Sequence, residues 1–199
     1  MSNELNCRLF GNPEIRWNGE LMLFSFSKID AVLYYLLVTK SVSRDEVAGL
    51  FWPDKSEQNA KKNLRNAIYQ ANKMFGEEVI SSPNKALLVL NDAIEVKSDI
   101  EVFMSNPVQH LDSYKEHFLK GFFLKECEGF EFWITKMRAF YEKIFLQECG
   151  KKIELDIEVG KFDDVEKNIQ RLIHIDEFDE SNYQLLMRFY QMKSRDEKV

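Results

Sequence analysis

The sequence predicts a mainly α chain with a small β component, a strand, helix and hairpin region followed by an all-helical one. Three observations carry that prediction. Short apolar runs separated by turn residues open the chain, three segments of helical period and a second hairpin pattern follow, and from Phe130 onward the 3.6-residue period dominates. The 199 residues suffice for one large domain or two small ones. With 45% hydrophobic and 13% aromatic residues the composition excludes a disordered chain.

At the N-terminus, residues 7–10, 14–17 and 21–24 read as strands of an antiparallel sheet, with Asn18-Gly19 as a hairpin turn because both residues tolerate positive φ. Ser27 then reads as the cap of a helix reaching about Lys40, with Ile29, Leu33, Leu36 and Leu37 on its buried side. Ser43 caps a short helix, 44–51, with Glu46 in capping-box register, and Trp52-Pro53-Asp54 ends it. A third helix opens at Ser56 or Asn59 and covers about 59–75. Its apolar series is Ala60, Leu64, Ala67, Ile68, Ala71 and Phe75, and Gly76 terminates it. Residues 79–82 and 86–90 flank Pro83-Asn84-Lys85 as a second hairpin, about 79–90.

From Asp99 the pattern is helical nearly throughout, with a long helix over 130–159, a break at Gly160, a helix over 163–175 and another after Ser181. The aromatic group Phe118, Phe122, Phe123, Phe130, Phe132, Trp133 and Phe140 reads mainly as core, with a docking surface as the lesser reading. Matches of Leu155 with Phe189, Gly160 with Ser194 and Val165 with Val199 give a 34-residue period, the tetratricopeptide spacing. On that reading the chain stops inside a repeat and is a fragment of a longer protein. The domain boundary falls between residues 1–98 and 99–199.

Three helices followed by a two-stranded hairpin is the winged helix-turn-helix plan, in which the third helix lies in the major groove of double-stranded DNA. On this third helix Lys62, Asn66, Tyr69 and Lys73 share one stripe, with Lys61, Arg65 and Gln70 beside it. Arginine and carboxamides read base edges, whereas lysine and tyrosine suit phosphates. Asn84 and Lys85 occupy the tip of the hairpin, the wing position on the DNA backbone. The net charge of −6 opposes DNA binding overall, but four cations and no acid lie between Lys61 and Lys73. An acidic monomer with one basic strip fits paired binding.

Other functions find less support. His110, His117 and His174 have no partner at metal-ligand spacing, no glycine-rich phosphate loop occurs, and no catalytic constellation can be argued from spacing. The expectation is a non-enzyme without metal or cofactor. Cys7, Cys127 and Cys149 are odd in number and far apart, reading as reduced packing thiols. No run of 18 apolar residues and no secretory pattern is visible, so the expected location is the cytoplasm, off the membrane.

Leu50-Phe51-Trp52-Pro53-Asp54 followed by Ala60-Lys61-Lys62-Asn63-Leu64-Arg65-Asn66-Ala67-Ile68 resembles the SARP-type bacterial transcription activators (the antibiotic-regulatory-protein family), whose "LWPD" leads into "A..NLR.AL". Leu9-Phe10-Gly11 is similar to the family's first strand, and Val96 to Phe103 to its segment after the wing. Leu119–Leu124, Phe132-Trp133-Ile134 and Gly160–Val165 are similar to motifs of its tetratricopeptide-like bacterial transcriptional activator domain. The resemblance implies a DNA-binding activator that sits on direct repeats as a homodimer and touches RNA polymerase, here through Asp54, Lys55 and Glu57. Two departures stand out: Tyr69–Gly76 lacks two or three arginines of the family pattern, and Lys85-Ala86 replaces a glycine-tyrosine pair in the wing. With the acidic charge, these departures support an alternative, a protein-interaction module whose winged helix has lost DNA binding.

Overall fold

The structure is a computed structural model that describes residues 3–196. The first sheet contains β1 (Glu4–Arg8), β2 (Glu14–Trp17) and β3 (Glu20–Leu21). Its order is β3-β2-β1-β7, where β7 is Glu95–Ser98 and lies parallel to β1, Leu5 opposite Val96. Asn18 (φ 50°) and Gly19 (φ 88°) form the β2–β3 turn, as the Asn-Gly pair predicts. The period of two does not single out β7, because it alternates Glu95 and Lys97 with the single apolar Val96. A partner strand ninety residues away decides its state.

Helix α1 (Ser27–Thr39) buries Ile29 and every residue from Ala31 to Leu37. It is surrounded on all sides, so the one-sided stripe expected for it was too narrow. Ser27 is also not its cap: Phe26 holds that position without a side-chain hydrogen bond. In the first turn of α1, burial pushes the Asp30 carboxyl up to about 6. The fold therefore favours the protonated form. That stabilisation is complete below the ordinary value of 3.8 and is lost as pH rises through about 6. Asp30→Asn is expected to raise the melting temperature at neutral pH by a few degrees, about 1 kcal/mol once solvent screening is allowed for, and to have little effect under acid. Thermal unfolding followed against pH checks this.

β4 (Ser41–Ser43) leads into α2 (Arg44–Phe51), where the Ser43 hydroxyl accepts from Asp45 N at 3.2 Å. Glu46 does not close the expected capping box. Its carboxylate accepts from the Tyr35 hydroxyl at 2.6 Å instead. α3 (Glu57–Phe75) starts after Ser56, whose side chain makes no capping bond, and ends at the left-handed Gly76 (φ 71°). β5 (Ile80–Ser81) and β6 (Leu87–Leu90) form the second hairpin, and β4 joins it to give the order β4-β6-β5. β4 offers a single buried residue, Val42, too little for a sequence pattern.

The region after Asp99 is less helical than expected. α4 (Asp99–Ser105) is followed by residues 106–127 with a single 3₁₀ turn, Leu111–Ser113. Turns at Leu119 (φ 48°), Gly121 (φ 78°) and Glu126 (φ 63°) explain why no helix forms there. The long helix α5 (Glu128–Glu158) and the pair α6 (Phe162–Ile175) and α7 (Glu180–Asp196) follow the sequence reading closely. The 34-residue correspondences do not fall at equivalent places. Leu155 is exposed where Phe189 is buried, Gly160 lies in a turn where Ser194 lies in α7, and Val199 is outside the described residues.

One apolar core runs through the described residues, and segment 106–127 is the mortar. Phe10, fully buried, packs its ring against Phe103, Tyr114 and Tyr141 at centroid distances of 5.5, 4.7 and 5.2 Å. The Asp99 carboxylate accepts from Leu9 N and Phe10 N, Leu119 N donates to Leu9 O at 2.8 Å, and Phe10 bridges to Phe118. On the other side the Arg171 guanidinium of α6 donates to Leu111 O and Tyr114 O and lies over the Phe145 ring. The predicted aromatic core is only partly buried: Phe118 and Phe130 are enclosed, Phe122 and Trp133 are packed against the core, and Phe123, Phe132 and Phe140 face solvent. All three cysteines are buried and free. Among the described residues no helix is long and apolar enough to cross a membrane.

Candidate nucleic-acid interface

Helix α3 buries Ala60, Leu64, Ala71 and Phe75 against α1 and α2, which turns the opposite face outward. Lys62, Arg65, Asn66, Tyr69, Gln70 and Lys73 are all exposed there. Among the described residues none of these six side chains has an ion pair or a hydrogen bond to another protein group. That is notable in an acidic chain where many other cations are paired, for example Lys97 with Glu4 and Lys167 with Asp112. Lys61 differs from its neighbours, because it pairs with Asp45 at 2.9 Å and Glu57 at 2.6 Å. It braces α3 against α2 and is half withdrawn from the surface.

The hairpin is placed by two residues that the sequence reading did not single out. Asn72, near the end of α3, receives Val79 N at 3.1 Å and Ile80 N at 2.9 Å on its Oδ1, and its Nδ2 donates to Ile80 O at 2.8 Å. One carboxamide thus ties the last turn of α3 to the first wing strand. Asn72→Ala leaves these groups without that partner and is expected to cost about 1–3 kcal/mol locally. Hydrogen exchange at Val79 and Ile80 should accelerate while amides of α6 keep their protection.

The second is Arg44, the first residue of α2. Its Nη1 donates to Ser82 Oγ at 2.7 Å, and Arg44 N donates to Ala86 O at 2.8 Å. Arg44, Arg65 and Lys85 line one small depression at the corner between α2, α3 and the wing. Burial, with the nearby Arg65 guanidinium, holds Arg44 below its ordinary value. Asp45 lines the same depression but pairs with Lys61, and among the described residues no acid pairs Arg65 or Lys85, so these cations are what an anion would neutralise. The signal for Arg44 was absent from the sequence because its neighbours Arg65 and Lys85 come from distant segments.

At the tip, Asn84 is exposed but its Oδ1 accepts from Ala86 N at 2.8 Å and Leu87 N at 3.0 Å, shaping the turn. Lys85 beside it is exposed and unpaired among the described residues. Asp54, Lys55 and Glu57 are exposed in and just after the loop between α2 and α3, while Trp52 is buried beneath them. Lys28 Nζ donates to Phe51 O at 2.7 Å and lies 5.5 Å from the Trp52 ring, holding that loop down. The histidines are spread apart: His110 meets Val102 O, His117 faces Glu142, and His174 faces Glu116.

No protein-family model and no curated protein matches the chain. Among solved structures, Mycobacterium tuberculosis EmbR in complex with a low affinity phosphopeptide matches with a TM-score of 0.69 and 18% sequence identity. The match covers 98% of this chain and 57% of that one, so the chain spans little more than half the length of EmbR. EmbR is a SARP-family regulator. The fold of this chain, a small sheet and winged-helix arrangement followed by a helical region, is therefore that of the matched part of EmbR.

Proposed function

We propose that the chain is a sequence-specific activator of transcription that binds double-stranded DNA, with α3 in the major groove and the β5–β6 wing on the backbone. The observation that carries this reading is the row of exposed, unpaired cations and amides on α3, continued by Arg44 and Lys85 at the wing. Arg65 and Asn66 read base edges, Tyr69 and Gln70 flank them, and Lys62, Lys73, Arg44 and Lys85 hold phosphates. Lys61 and Asn84 support the geometry and touch DNA only at its margin. Residues 1–98 form the DNA-binding unit and residues 99–199 the helical activator unit, in which the packed pair α6 and α7 is of tetratricopeptide type although the 34-residue period is not kept. The two share a core through Phe10 and Asp99.

Asp54, Lys55 and Glu57 face RNA polymerase, and two copies bind side by side on repeated half-sites in the cytoplasm. Arg65→Ala is expected to cost about 1–3 kcal/mol on the preferred duplex and to level the preference at one base position. Competition titration against duplexes varied at single positions reads both effects. Unchanged affinity and preference would remove Arg65 from the groove and overturn this docking geometry.

A further inference from the structure

A cleft of about 870 Å³ lies between the start of α1, the Trp52 ring and the exposed side of α3. Its floor is apolar and fixed, made of Ile29, Trp52 and Leu124, all buried. Its rim carries two aromatic rings that the core leaves uncovered, Phe26 (67% exposed) and Tyr69 (63% exposed). Three carboxamides, Asn63, Asn66 and Gln70, line the same space, and none of them has an intramolecular hydrogen-bond partner among the described residues. Pockets of this size with an apolar floor and a few convergent polar groups are the usual form of small-molecule sites.

The lining also limits the chemistry of the occupant. No carboxylate borders the cleft, and its one cation, Lys28, already donates to Phe51 O at 2.7 Å. A cationic ligand finds no counter-ion there, whereas Lys28 keeps its charge. Carboxamides offer a paired donor and acceptor, which matches the edge of a purine, and aromatic rings stack on any nucleobase face. From these features we infer that the cleft binds a purine base or nucleoside. Asn66, Tyr69 and Gln70 also belong to the proposed DNA face, so an occupied cleft excludes DNA. That consequence rests on the DNA-binding reading, whereas ligand binding itself does not.

The direct test titrates adenosine into the full chain by calorimetry without DNA, with cytidine as a single-ring comparison. Adenosine should bind at least tenfold tighter than cytidine. Phe26→Ala and Asn63→Ala, both outside the proposed DNA contacts, should weaken adenosine at least tenfold while DNA affinity stays within about twofold. Saturating adenosine should then weaken DNA binding tenfold or more in the unsubstituted chain. Absence of adenosine binding at millimolar concentration, or binding that neither substitution weakens, would overturn the site. Adenosine binding with DNA affinity unchanged would overturn the competition. A chain that binds adenosine but no DNA would keep the site and refute the DNA reading alone.

Discussion

Replacing Phe10 by alanine is expected to cost about 3–5 kcal/mol and to weaken both regions of the chain together. The ring is enclosed by Phe103 of α4, Tyr114 of the irregular segment and Tyr141 of α5, so the cavity left behind opens onto three elements at once. Phe10 N also donates to Asp99 at 2.8 Å, and Phe10 follows two residues after β1, the strand that pairs with β7. Net stabilities of domains are about 5–15 kcal/mol, which makes this a large fraction of the total. Denaturant unfolding followed separately at Trp17, in the first sheet, and Trp133, in α5, should show both signals moving to the same lower midpoint. A shift confined to one tryptophan would mean that the two units fold independently and that Phe10 does not couple them.

Joint replacement of Arg44, Lys62 and Lys85 by alanine is expected to give the largest loss of binding. Each cation that neutralises a phosphate releases counterions, so the slope of log affinity against log salt should fall by about 2–3. Affinity at low salt should drop by roughly two orders of magnitude, equally for preferred and unrelated duplexes, because phosphates carry no base information. Anisotropy titration at several salt concentrations reads both quantities. The fold should survive: Lys62 and Lys85 are exposed and make no pair among the described residues, and Arg44 loses one side-chain bond to Ser82.

Local periodicity made most of this architecture legible. The α3 series from Ala60 to Phe75, the Gly76 terminator and the hairpin around Pro83-Asn84-Lys85 stand where sequence reasoning puts them, because each depends on neighbours within a few residues. The features that escaped depend on distant partners. β7 exists because β1 lies beside it, β4 because β6 does, and Glu46 turns from its own helix start to the Tyr35 hydroxyl of α1. Segment 106–127 reads as helical in composition yet is held irregular by backbone pairing to Leu9 and Gly11 and by the guanidinium groups of Arg138 and Arg171.

The interface divides the same way. A helical projection shows which α3 residues face outward, and Lys62, Arg65, Asn66, Tyr69, Gln70 and Lys73 do so. It does not show that Asp45 and Glu57 pull Lys61 aside, that Asn72 anchors the wing, or that Arg44 stands next to Arg65. Those facts arise from the packing of α2, α3 and the hairpin against each other.

On the proposed reading, the α3 and wing face binds duplex DNA by sequence. Selection from a random duplex pool, followed by titration of the enriched duplexes across salt concentrations, tests it most directly. A repeated half-site should be enriched, with affinity that falls steeply as salt rises. No enrichment at low salt and high protein concentration, or binding that ignores salt, would contradict it.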